Sequence, residues 1–289
     1  MAEQRVIPIQ PVGASSADGG RQRLRRWAQA GFFVLFVLAP VFNLLRFDLV
    51  AGHAWLLGFE WHAGLEDFSA GHLGAVDAIA RVIGRVLAPI LAVGAVLLGV
   101  SWRWGRLYCG WLCPHFSVVE TINGLMRRAT GKPSVWEARP LPLWEPDGTP
   151  LRVDARWWLV TAPLAVGFAF VWAVVLLTYL LPPFQVYSHL LAGVPTRNEF
   201  IFITAGTVAL SIEFLFARHL FCRYACAVGI FQSLAWMGNR DAMVVGFARE
   251  RTADCSTCYS ACDHVCPMRL KPRSVKQHMF TCTQCGQCL

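Results

Sequence analysis

The sequence predicts an all-α membrane protein, with four transmembrane helices arranged as two repeated hairpins and a cysteine-rich C-terminal segment after them. Three observations carry this expectation. The 289-residue chain is 55% hydrophobic but only 15% charged, with a mean hydropathy of +0.45, whereas soluble domains hold about a quarter charged residues. Its apolar residues are gathered into four long runs separated by basic segments. A Cys-x-x-x-Cys pair follows the second run and recurs after the fourth.

Residues 1–26 are polar and end in Arg21, Arg23, Arg25 and Arg26, which reads as a cytoplasmic N-terminal tail without fixed structure. Residues 27–238 then form the transmembrane domain. Trp27 to Leu45 gives 19 residues without a formal charge, enough to cross a hydrocarbon core of about 30 Å as a helix. The further runs are Val86–Trp102, Trp157–Leu181 and Phe200–Ala217, the last interrupted only by Glu213. The 46–77 stretch, with Trp55, Phe59, Trp61 and Phe68, reads as an interfacial loop. The Pro- and Trp-rich 133–156 stretch reads as a connector on the cytoplasmic face.

Basic residues test this count. The segments before the first run, between the second and third, and after the fourth hold 5, 8 and 9 Lys/Arg, so 22 of 26 fall on one side. Lys and Arg accumulate on the cytoplasmic side of membrane proteins. Both termini and all eleven cysteines are therefore expected in the cytoplasm, at a bacterial inner membrane. The net charge of +8 is a topology signal, and no nucleic-acid partner is expected.

The second run exits into Arg106-Leu-Tyr-Cys109-Gly-Trp-Leu-Cys113, and the fourth into His219-Leu-Phe-Cys222-Arg-Tyr-Ala-Cys226. Repeated hairpins of this kind are related by pseudo-symmetry, which brings Cys109, Cys113, Cys222 and Cys226 to one cytoplasmic end. If helical, each pair shares one helix face. Such thiols could hold a metal or a further cluster, act as a redox site, or be inert buried side chains. Glu213 is open to two readings, an intramembrane proton acceptor or an interfacial ion pair with Arg218. His115, His219 and His264 read as surface or packing residues, and no transmembrane bis-His pair supports haem.

Residues 239–289 form the C-terminal segment, which reads Cys255-Ser-Thr-Cys258-Tyr-Ser-Ala-Cys262-Asp-His-Val-Cys266-Pro267, then Cys282-Thr-Gln-Cys285-Gly-Gln-Cys288. Tight Cys-x-x-Cys spacing wraps a short loop around one cluster, and a distant Cys followed by Pro closes the neighbouring one in two-cluster ferredoxins. On that pattern Cys282, Cys285, Cys288 and Cys266 hold one 4Fe-4S cluster. Cys255, Cys258 and Cys262 hold a second that is one ligand short, which implies either a chain cut inside its own motif, the favoured reading, or a cluster with a non-cysteine or missing ligand. Zinc ribbons use four ligands in two pairs and fit seven cysteines less well.

With these elements in place, the chain resembles the NapH/NosR/CcoG (RdxA/FixG) group of membrane polyferredoxins. The resemblance rests on Cys109-Gly-Trp-Leu-Cys113-Pro114, Cys222-Arg-Tyr-Ala-Cys226 and the C-terminal motifs, and it covers most of the chain from about residue 24. Ala227 stands where the motif has proline. The resemblance implies a membrane-bound iron–sulfur electron carrier, working between a quinol or cytoplasmic donor and a respiratory or metal-centre acceptor. The stretch Phe231–Val245 and Arg46-Phe-Asp-Leu look more like CcoG, which implies the alternative of a copper reductase and assembly factor for a haem–copper oxidase. Lipid, a redox partner protein, and quinone or copper are the partners this implies.

Overall fold

A computed structural model describes residues 16–72, 74–132, 136, 151–246, 261–272 and 275–288. Helix α1 spans Ser16–Leu38. Strands β1 (Leu45–Asp48), β2 (His53–Leu56) and β3 (Phe59–Trp61) follow. Then come α2 (Ala75–Trp104), α3 (Pro114–Thr130), α4 (Ala155–Thr178), α5 (Pro183–Leu191), α6 (Arg197–Ala217) and α7 (Ala227–Gly238).

Among the described residues, α2, α4 and α6 are long and apolar enough to cross a membrane. They coincide with the second, third and fourth runs. The first run behaves differently. Its helix carries the arginine cluster in its N-terminal half and ends at Leu38, after which residues 39–44 turn into β1. The stretch expected as an unstructured tail enters α1 at Ser16. The 46–77 loop is not irregular throughout: β1, β2 and β3 form an antiparallel meander, with Arg46 opposite Trp55 and Trp55 opposite Glu60. Of the 133–156 connector, residues 133–135 and 137–150 lie outside the described residues. Trp136 donates its indole N–H to the Phe216 carbonyl.

The chain divides into two compact units. One comprises residues 34–99 and 168–210. Its core is Val174, Leu177, Val186 and Ile203, joining α4, α5 and α6. The sheet is fastened to the end of α4 by backbone bonds from the Phe47 and Leu49 amides to the Tyr179 and Leu180 carbonyls. Gly206 lets α6 approach Ala173 so closely that an added Cβ would stand 3.1 Å from the alanine methyl.

The other unit comprises residues 1–33, 100–167 and 211–289. It contains every described cysteine. Its core gathers Phe116, Trp236, Val245, Met268, Leu270 and Met279, and Cys113, Cys222, Cys266, Cys282 and Cys288 pack into the same cluster.

Candidate functional site

The two Cys-x-x-x-Cys pairs are built alike. Cys109 lies in the single helical turn Leu107–Trp111 and Cys222 in the single wide turn Phe221–Ala225. The second cysteine of each pair is the extended residue that starts the next helix, Cys113 (φ −62°, ψ 117°) before α3 and Cys226 (φ −70°, ψ 107°) before α7. The pairs do not share a face of one continuous α-helix, as i, i+4 spacing had allowed. Each instead bridges a turn and a helix N-terminus, where unpaired amides and the helix dipole favour negative charge. Pro114 and Ala227 occupy the same first helical position, where the missing N–H of proline costs nothing.

The sulfurs of Cys109, Cys113, Cys222 and Cys226 lie within electrostatic reach of one another. Burial pushes the Cys109 thiol up to about 12 and raises Cys222 and Cys113. At Cys113 the amides of Phe116 and His115 act in the opposite direction. Low dielectric thus penalises uncompensated thiolates here.

Cys266, Cys282, Cys285 and Cys288 form a second group. They line one pocket walled by Val245, Met268, Leu270 and Met279, and their thiols are mutually coupled. Burial pushes Cys282 up to about 12 and raises the other three. Backbone amides work against it, among them Leu270 N–H to Cys266 Sγ at 3.5 Å. Gln284 (φ 53°) and Gly286 (φ 71°) turn the chain left-handed between these cysteines. Non-glycine backbone is held that way where its surroundings over-determine it, commonly at functional sites. Cys262 precedes this group in the turn Ala261–Val265, its sulfur 3.8 Å from Asp263 Oδ1. Cys255 and Cys258 lie outside the described residues. Among the described residues, no three Cys, His or carboxylate groups already form a single-ion site.

Glu213 is not paired with Arg218. It accepts from His115, whose Nε2 lies 2.7 Å from Oε2, while His115 Nδ1 is 3.5 Å from Cys222 Sγ. His115 is thus a contact of the first thiol group, not an isolated packing residue. Its place two residues after Cys113, at the start of α3, was the available signal. Arg106 was also missed: its buried guanidinium lies within electrostatic reach of Cys109, Cys226, Cys222 and Cys282, members of both groups.

His219 is buried against Phe116, ring centroids 4.9 Å apart, and neither ring nitrogen has a hydrogen-bond partner. Burial, with the charges of Arg218, His115 and Arg223, pushes it down to about 3. An unfolded His binds its proton near pH 6.5, so between those values the unfolded state holds more protons. Stability is therefore complete above about pH 6.5 and falls as pH drops towards 3, with a limiting slope of about 1.4 kcal/mol per pH unit. Thermal unfolding in detergent across that range should show this loss, and His219→Phe should flatten the curve.

A protein-family model described as 4Fe-4S binding domain matches residues 86–133 and 199–241. The Escherichia coli (strain K12) protein named "Putative electron transport protein YccM" is 25% identical over 203 residues, covering 70% of this chain and 52% of its own length. The chain thus spans about half the length of that relative. No solved structure matches. The chain thus contains a 4Fe-4S binding domain in two segments, one carrying Cys109 and Cys113 and the other Cys222 and Cys226.

Proposed function

We propose that this protein is a membrane-bound iron–sulfur electron carrier, with 4Fe-4S clusters held by Cys109, Cys113, Cys222 and Cys226 and by Cys266, Cys282, Cys285 and Cys288. The observation that carries this reading is the gathering of two groups of four thiols in one compact unit, with Arg106 within electrostatic reach of both. Four thiolates are the donor set of such a cluster, and the apolar walls with inward amides suit a buried anion. A bound cluster supplies one-electron transfer. The chain's own residues hold the two sites side by side, exclude water with Met268, Leu270 and Met279, and stabilise thiolates with backbone N–H groups.

A further cluster on Cys255, Cys258 and Cys262 belongs to this proposal. So does the first apolar run as a fourth membrane crossing, which places both termini in the cytoplasm of a bacterial inner membrane. Electrons would then pass between a quinol or soluble donor and a partner protein. The relative's name supports electron transport as the activity.

Anaerobically purified full-length protein tests it by iron and sulfide content and by EPR after dithionite reduction. Cys222→Ser and Cys282→Ser should each remove roughly one cluster's iron and one distinct signal. Stoichiometric zinc, or unchanged iron in both variants, sinks the reading. The alternative of a copper reductase draws on the softness of the first group, since thiolates select Cu(I). Copper bound there in place of iron, and lost in Cys109→Ser, would decide for it.

A further inference from the structure

Arg106 is a buried charge with no carboxylate partner among the described residues. It follows the left-handed turn at Gly105 (φ 69°) and is 1% exposed. Nε donates to Ser233 Oγ at 2.5 Å, and that hydroxyl donates to the Phe280 carbonyl. Nη1 donates to the Cys222 carbonyl at 2.8 Å. Nη2 makes no hydrogen bond. The guanidinium carbon lies 5.9 Å from the centre of the Phe280 ring. Its position is therefore over-determined by α7, by the turn holding Cys222 and by the segment before Cys282. Its hydrogen bond to the Cys222 carbonyl and its place against Phe280, two residues before Cys282, set it between the two cysteine segments, and the ionisable groups within its electrostatic reach are the thiols of Cys109, Cys226, Cys222 and Cys282. Among the described residues no carboxylate forms an ion pair with it.

Burying a lone guanidinium in such a place is strongly unfavourable unless opposite charge faces it. Thiolates and the anionic cluster they hold would supply that charge. We propose that Arg106 is the shared counter-charge of both thiol groups, favouring their anionic, loaded state and setting the reduction potentials of both clusters. This rests on the function proposed above. With a cluster bound, one electron from dithionite would add one negative charge at the site, and Arg106 would keep its proton throughout. Attraction to that added charge makes reduction easier.

The test compares Arg106→Lys, Arg106→Gln and Arg106→Met in full-length protein purified anaerobically in detergent. Iron content and EPR-monitored dithionite titrations are the readouts. Lys should stay near wild type. Gln and Met should weaken reduction at both sites, on the order of tenfold, or about 59 mV downward for one electron. If Gln and Met prevent loading while Lys permits it, the same conclusion follows. Wild-type potentials in Gln or Met, a shift at only one site, or failure of Lys alongside Gln and Met overturns the proposal. Unchanged iron in Cys222→Ser would instead remove the underlying reading of that site, and is read separately.

Discussion

Gly110→Ala should be among the most damaging single substitutions in the molecule. A Cβ at Gly110 would stand 2.1 Å from the Thr283 carbonyl oxygen and 3.1 Å from its carbon. Neither neighbour is a flexible side-chain tip. Gly110 lies in the turn that carries Cys109, and Thr283 sits between Cys282 and Gln284, so the two thiol-bearing segments approach too closely to admit even a methyl group between them. The Gly110 carbonyl is fixed as well, accepting from Arg25 Nε at 2.8 Å and Gln29 Nε2 at 3.2 Å. Overpacking of this kind costs typically about 1–3 kcal/mol and more where backbone must move. Gly124→Ala is the matched control: it is an exposed position of α3 with nothing within 4 Å of its added Cβ, and should gain about 0.5–1 kcal/mol of helix stability. Thermal unfolding together with iron content measures both. A Gly110→Ala protein with wild-type stability and iron would show that the two segments do not meet as described.

The apolar helices of membrane-spanning length were readable because crossing a bilayer demands a length and a composition of each helix by itself. That is why α2, α4 and α6 coincide with their apolar runs. The first run was read too long for a related reason. Composition registers the absence of charge from Trp27 to Leu45 but not the backbone turn after Leu38, where residues 39–44 leave the helix. The small sheet was missed because β1, β2 and β3 have only three or four residues each, too few for alternation to stand out. Its register depends on pairing and on fastening to Tyr179 and Leu180.

The thiol groups divide along the same line. Cys266 lines one pocket with Cys282, Cys285 and Cys288, a proximity largely local to that segment. The meeting of Cys109 and Cys113 with Cys222 and Cys226 was legible only through the repeat. What sequence could not show is which other side chains enter those groups. Arg106 reaches Ser233 and Cys222, and His115 reaches Glu213. Those contacts join residues about a hundred positions apart, so only tertiary structure reveals them. Spacing rules name ligands, not the charges around them.

Arg25→Ala should be the second severe loss, on the order of 3 kcal/mol, because it breaks from one side an ion pair whose arginine is buried and whose glutamate is partly buried. Arg25 is 1% exposed, and its guanidinium grips both oxygens of Glu120, Nη2–Oε2 at 2.5 Å and Nη1–Oε1 at 3.1 Å. Glu120 also accepts from Gln29 and from Gln287, beside Cys288. One turn earlier on α1, Gln22 donates to the Cys285 carbonyl at 3.0 Å. The arginine-rich start of α1 is therefore a clamp on the C-terminal cysteine loop. Glu120→Ala should cost a similar amount, since it strands the guanidinium. The double variant Arg25→Met/Glu120→Leu should lose much less than the sum, because apolar replacement removes both desolvation penalties together. Chemical unfolding of the four proteins measures this coupling directly. Strict additivity would mean that the two side chains act independently. Iron at Cys282, Cys285 and Cys288 should fall with the single variants and recover in the double, since what the pair supplies to that loop is its position.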